Sequence, residues 1–176
     1  MKGGFTVKKK FVNENKTETR EALIENTIRK HADMIYRIAY QNTGSTADAE
    51  DILQEVSIAL VTKNAPLENE EHLKRWLIRV TINKCRDLHR HLKVIETEPL
   101  EDHEDIPADE KGEIMEELQQ LPEQYRNIIY LYYYEQYTLQ EIADIMKKSI
   151  NTISSGLQRA RNQLKRVLME EGYSYG

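Results

Sequence analysis

The chain has 176 residues, 31% of them charged, with 25 Lys and Arg against 30 Asp and Glu and a formal net charge of −5. That length suits one medium domain or two small ones, and the single cysteine, Cys85, excludes an intrachain disulfide framework. No apolar run reaches membrane-spanning length, and the start MKGGFTVKKK lacks the apolar core of a signal peptide, so a cytoplasmic setting is expected. Gly and Pro are scarce and good helix formers frequent, which predicts an all-α chain.

Residues 1–20 are polar, carry three lysines at 8–10, and are expected to form a flexible arm. A first helix is predicted from about Glu21 to Tyr40, with Leu23, Ile24, Ile28, Ile35, Ile38 and Ala39 on its apolar face. The segment NTGSTADAED reads as a turn followed by an acid-rich helix start, where the dipole favours carboxylates. That second helix runs to about Val61, with Ala49, Ile52, Leu53, Val56 and Leu60 inward. Asp51, Gln54 and Glu55 share another face at i, i+3 and i+4, a spacing that suits either a solvated face or a partner surface. After KNAPLENEE a long helix is expected from about Glu71 to Lys93. Lys74, Arg75, Arg79, Lys84, Arg86, Arg90 and Lys93 on it oppose only Glu71 and Asp87. Such a helix can follow a phosphate backbone, and Trp76 near its start can support unstacked bases or anchor the core.

Composition then changes. From Val94 to Gln120 there are eleven Asp or Glu against one Lys, with two prolines, so an extended acidic linker is expected over 94–112. A second helical unit covers 113–172. One helix ends at the Leu-Pro of 121–122, and the next contains Tyr125, Ile128, Ile129, Tyr132 and Tyr133. Thr138 with Glu141 is a capping-box pattern, and Leu139, Ile142, Ala143 and Met146 form one face of a short helix. After a break at 147–150, Ile153, Leu157, Ala160, Leu164 and Leu168 form the buried stripe of a longer helix that Ser149 or Asn151 can cap. Between Lys147 and Arg166 stand six Lys or Arg and no acid. A helix pair presenting hydroxyls, an amide and guanidiniums predicts a DNA-binding helix-turn-helix. His72, His89 and His91 have no Cys or carboxylate cluster at ligand spacing, so neither a metal nor another cofactor is expected. Cys85 reads as a small buried apolar side chain.

In this order the motifs resemble an extracytoplasmic-function sigma factor of the sigma-70 family, over about Glu21 to Leu168. AEDILQEV at 49–56 is similar to the family's polymerase-binding segment. WLIRVTINKCRDLHR at 76–90 is similar to its −10 helix, LPEQYRNIIYLYYYEQYTLQEIADIM to the opening of its −35 domain, and TISSGLQRARNQLKR to its recognition helix.

The resemblance implies a non-enzymatic protein whose partners are core RNA polymerase, promoter DNA and an anti-sigma factor that a membrane could hold. It takes no small-molecule substrate. The resemblance assigns Asp51, Gln54 and Glu55 to core polymerase. It assigns Arg75, Arg79, Asn83, Lys84, Arg86, Asp87 and Arg90 to the −10 element. Lys148, Asn151, Thr152, Ser154, Ser155, Gln158, Arg159, Arg161 and Lys165 fall to the −35 duplex, with Arg161, Lys165 and Arg166 nearer the phosphates. Those promoter elements lie roughly 70 Å apart at ~34–36 Å per turn, and a 19-residue linker spans about 65 Å fully extended at ~3.3–3.6 Å per residue. The linker's acidity suits a nucleic-acid mimic in a basic polymerase channel, or a screen over the basic helices. Departures from the pattern fall at Lys147, in place of the usual turn glycine, at Thr81 and Ile82, and at Ser154 and Gly156, where Gly156 is expected to loosen the reading helix. The competing reading is a free-standing DNA-binding regulator acting as a dimer, although no heptad run or ligand domain is visible.

Overall fold

The computed structural model describes residues 19–63, 65, 69–95, 115–170 and 172. The expected arm, and all but the first two residues of the expected acidic linker, lie outside them. Every regular element among the described residues is helical: α1 (Arg20–Thr43), α2 (Thr46–Thr62), α3 (Glu70–Ile95), α4 (Met115–Gln119), α5 (Glu123–Ile129), α6 (Leu139–Met146) and α7 (Ile150–Glu170). α3 therefore runs two residues into the stretch expected to be extended.

Local chemistry sets the helix ends. Thr19 caps α1 by accepting from the Ala22 N–H at 3.3 Å, and Gly44 closes it at φ 70°. Ser45 then caps α2 by accepting from Asp48 N–H at 3.2 Å, so a single two-residue link reverses the chain. The Asn69 carboxamide accepts from His72 N–H at 2.9 Å at the head of α3. Thr138 and Glu141 form both halves of the expected capping box. Lys147 closes α6 at φ 53°, ψ 50°, so the turn keeps the left-handed geometry a glycine would supply, at some steric cost. Ser149, rather than Asn151, caps α7, accepting from Thr152 N–H at 3.1 Å.

α1, α2 and α3 pack on one another as one group. α7 packs on α4, α5 and α6 as a second. The groups meet along α1 with α4 and α5, and along α3 with α6, so buried apolar side chains run without a break from Ile35, Ile38 and Ile78 to Leu118, Ile142 and Ile153. Trp76 is half-buried against this core, which favours its anchoring role. α5 widens into a π-helical turn over Tyr130–Tyr134, where Tyr130 and Leu131 are buried, Tyr134 stacks on Tyr130 at 5.3 Å, and Tyr133 is exposed.

Gly156 does not loosen α7. It is buried where α7 crosses α5, and a Cβ there would stand 2.7 Å from Ile128 Cδ1, so its role is close approach. Ile128→Val removes that methyl and should cost about 0.5–1.5 kcal/mol alone. In a Gly156→Ala background it should cost less, because the new methyl fills the vacated space. Urea denaturation of the two single variants and the double variant measures this coupling. Strictly additive costs would show that the two positions do not meet.

Candidate functional site

On α2, packing Ala49, Ile52 and Val56 inward leaves Asp51, Gln54 and Glu55 exposed together. Ile58 and Val61, 61% and 53% exposed, extend the same stripe toward the helix end. Sequence reasoning passed over this pair, although Ile58 follows Asp51, Gln54 and Glu55 at i+7, i+4 and i+3. Glu55 also pairs with Lys84 of α3 at 2.6 Å, tying this face to the next one.

The basic face of α3 divides in two. Asn83, Asp87 and Arg90 are exposed, with Arg90 paired to Asp87 at 3.2 Å. Arg75, Arg79 and Arg86 are turned into the seam with the second group of helices. Arg75 donates to Glu141 at 2.7 Å, and Arg86 donates to Glu123 at 2.8 Å. Arg79 donates to the carbonyls of Ile145 and Asp144 at 3.2 and 3.1 Å, serving the C-terminal end of α6 where a cation complements the dipole. Lys74 pairs with Glu135 at 2.8 Å, and both Lys74 and Arg75 lie over the Tyr137 ring.

Beneath these charges three buried amides meet. Asn127 Oδ1 accepts from Gln41 at 3.2 Å and from Asn42 at 2.9 Å. His31 is also buried, and burial first, then Lys30, holds its imidazole below the usual histidine range. Glu141 is held below the usual carboxylate range by its hydrogen bonds from Thr138. Burial pushes the Cys85 thiol up to about 12, which leaves it protonated and packed like a small apolar group.

α7 exposes the third face. Lys148, Asn151, Thr152, Ser154, Ser155, Gln158, Arg159 and Lys165 are all exposed, since Ile153, Leu157 and Ala160 occupy the inward stripe. Arg161 is exposed but anchored: its Nε donates to the Tyr133 hydroxyl at 2.7 Å, and its guanidinium lies 5.4 and 5.6 Å from the Tyr132 and Tyr133 rings. It acts as a strut between α7 and the π-turn, which sequence spacing did not foresee. Among the described residues no His, Cys, Asp or Glu group could hold a metal, and no helix is long and apolar enough to cross a membrane.

Residues 27–94 match the family model described as Sigma-70 region 2, and residues 111–164 match Sigma-70, region 4. The chain is 30% identical to the RNA polymerase sigma factor SigV of Bacillus subtilis, over 90% of this chain and 99% of that one. It is likewise 30% identical to the ECF RNA polymerase sigma factor SigE of Mycolicibacterium smegmatis, over 80% of this chain and 60% of that protein. Its fold is similar to that of the sigma factor RpoE of Bartonella quintana, solved in complex with the anti-sigma factor NepR. The TM-score is 0.68 at 22% identity, with 82% of this chain and 96% of that one covered.

Lys74 and Glu135 are 28% and 13% exposed, so reversing one charge leaves two poorly hydrated carboxylates face to face. Lys74→Glu should expand the chain in small-angle scattering, and adding Glu135→Lys should restore the wild-type radius. An unchanged radius in the single variant would show that this pair does not hold the seam.

Proposed function

Because the chain belongs to the extracytoplasmic-function sigma factors of the sigma-70 family, we propose a specific role for each exposed face. The protein directs promoter-specific transcription initiation. In our reading, residues 21–93 bind core polymerase and the −10 element, residues 113–172 bind the −35 element, and 94–112 join them. The spans matched by the two family models support that division. The observation that carries the DNA half of the reading is the row of hydroxyl, amide and guanidinium groups on α7. That row is exposed and backed by α6 through a short turn. Thr152, Ser154, Ser155, Gln158 and Arg159 read or position base edges; Lys148, Asn151 and Lys165 lie nearer phosphates.

Asp51, Gln54 and Glu55 form the polymerase contact, with Ile58 and Val61 giving it an apolar end. A partner for this face carries cationic and amide groups beside an apolar surface. Asn83, Lys84, Asp87 and Arg90 hold the unpaired −10 strand, whose capture offsets part of the cost of opening the duplex. Arg75, Arg79 and Arg86 join them once α5 and α6 leave the seam. Partly exposed ion pairs contribute little each, about 0–1 kcal/mol, so polymerase and promoter contacts have chiefly the buried amides and the apolar contact across the seam to replace. The protein works in the cytoplasm and makes or breaks no covalent bond. The complex of the Bartonella relative supports an anti-sigma partner here as well.

The triple substitution Asp51→Ala, Gln54→Ala, Glu55→Ala should abolish core-polymerase binding and promoter-directed transcription. Circular dichroism should stay the same and the melting temperature nearly so, since exposed substitutions shift stability by about 0.5 kcal/mol or less each. A folded triple variant with wild-type polymerase affinity would remove α2 from the interface. Separately, Gln158→Ala or Arg159→Ala should weaken −35 discrimination by about 1–3 kcal/mol while polymerase association is kept. Gel shifts of the holoenzyme on −35 variants read the effect, and unchanged promoter selection would mean that α7 is not the reader.

A further inference from the structure

Two cavities meet at the seam. The smaller, about 190 Å³, lies between α3 and the turn joining α6 to α7. Arg79, Asn83, Arg86, Lys147 and Lys148 supply its polar wall, and no carboxylate lines it. The larger, about 490 Å³, shares Arg86, Met146 and Lys148 with the first and continues between α5 and α7. Its wall adds the Tyr125 ring, apolar Ile128 and Ile153, the hydroxyls of Thr152 and Ser155, and a further cation, Arg159. The carboxylate that lines it, Glu123, is already engaged by Arg86 at 2.8 Å.

Docking of the two helical groups thus brings four cations around a small cleft; Glu123 offsets Arg86 and the α6 carbonyls take up Arg79, and the residual repulsion opposes closure. A polyphosphate reverses that sign, since guanidinium and ammonium groups bind phosphate oxygens through charge-assisted hydrogen bonds. The adjoining groove offers an aromatic ring, a thioether and hydroxyls at the right side of the cleft for a base and a sugar. Together the cavities reach the roughly 300–1,000 Å³ usual for small-molecule sites. The geometry points to a nucleoside polyphosphate bound at the seam, phosphates among Arg79, Arg86, Lys147 and Lys148, base against Tyr125 and Met146.

A free nucleotide is favoured over a promoter strand because both helical groups build the wall. Promoter engagement, on the reading above, places the two groups on elements about 70 Å apart at ~34–36 Å per helical turn, where the cavity does not exist. A ligand of the closed chain alone shifts the population toward closure by mass action and withdraws the chain from polymerase.

The test uses the free full-length chain and needs neither polymerase nor promoter, so it is independent of the roles proposed for α2 and α7. GTP, ATP and pyrophosphate are titrated by calorimetry, with compactness followed by small-angle scattering. The nucleotides should bind at least about tenfold more tightly than pyrophosphate and compact the chain. Lys147→Asn, which removes a cation but keeps a residue tolerant of left-handed backbone, should weaken nucleotide binding about fivefold or more. Lys74→Glu opens the seam without touching either cavity wall, and should weaken it about tenfold, with Glu135→Lys restoring affinity. Equal affinity for pyrophosphate and nucleotide would overturn the base assignment. Undiminished binding to the Lys74→Glu chain would overturn the seam site. A single-stranded oligonucleotide that displaces nucleotide equally well from closed and opened chains would assign these cations to DNA instead.

Discussion

Gln41, Asn42 and Asn127 are each at most 3% exposed, Asn127 Oδ1 accepts from both of the others across the seam while Gln41 Oε1 has no partner among the described residues, and the docking of the two helical groups depends on that match. A buried amide left without a partner costs about 1–3 kcal/mol, so slipped registers are disfavoured more strongly than the correct one is favoured. Once the amides are in register, Arg75 meets Glu141, Lys74 meets Glu135 and Arg86 meets Glu123. These contacts suit reversible docking. On separation water hydrates the amides and the charges, whereas a wholly apolar seam would resist opening in proportion to its area. The seam therefore suits a chain that closes in one geometry and, on the proposed reading, opens to span a promoter.

The reading helix is held from three sides. Ser149 caps its start, the Gly156 crossing sets its distance from α5, and Arg161 fastens it to the tyrosines of the π-turn. The last two constraints act on the buried or lateral side, while the Ser149 cap also engages the Thr152 hydroxyl at 2.7 Å. Base discrimination needs side chains placed on a rigid support, and a loosely seated helix would spend contact energy on its own ordering. The absence of a cation at Gly156 follows from the same geometry, whereas nothing in the structure explains the serine at the exposed position 154. At 156 the position faces Ile128, so no long side chain would reach phosphate there.

Much of this was legible from spacing alone. The Thr138–Glu141 box, the Ile153–Leu157–Ala160 stripe and the shared face of Asp51, Gln54 and Glu55 are set by residues three or four apart, and helix geometry carries them directly into space. Nothing of that kind relates Arg86 to Glu123 or Arg75 to Glu141, 37 and 66 residues apart. The basic face of α3 was read as one surface, although its partners on α5 and α6 divide it. The π-turn escaped because YLYYY fits an ordinary helix. Its end is recorded by the Tyr137 N–H donating to Leu131 at 3.0 Å and by Gln136 at φ 57°, where no glycine signals the change. Gly156 looked like a flexible point because its tight neighbour, Ile128, lies on another helix.

The Glu55–Lys84 pair joins two faces that otherwise share only a packed core. A cation that engages Glu55 from outside frees the Lys84 ammonium for a phosphate, and a phosphate that takes Lys84 frees Glu55. Linkage requires the two effects to be equal: each occupant raises the other's affinity by one and the same factor. With both side chains partly exposed that factor is modest, at about 0–1 kcal/mol. It nevertheless gives the binding proposed for α2 and the strand capture proposed for α3 a common free-energy term, so neither event is indifferent to whether the other has occurred.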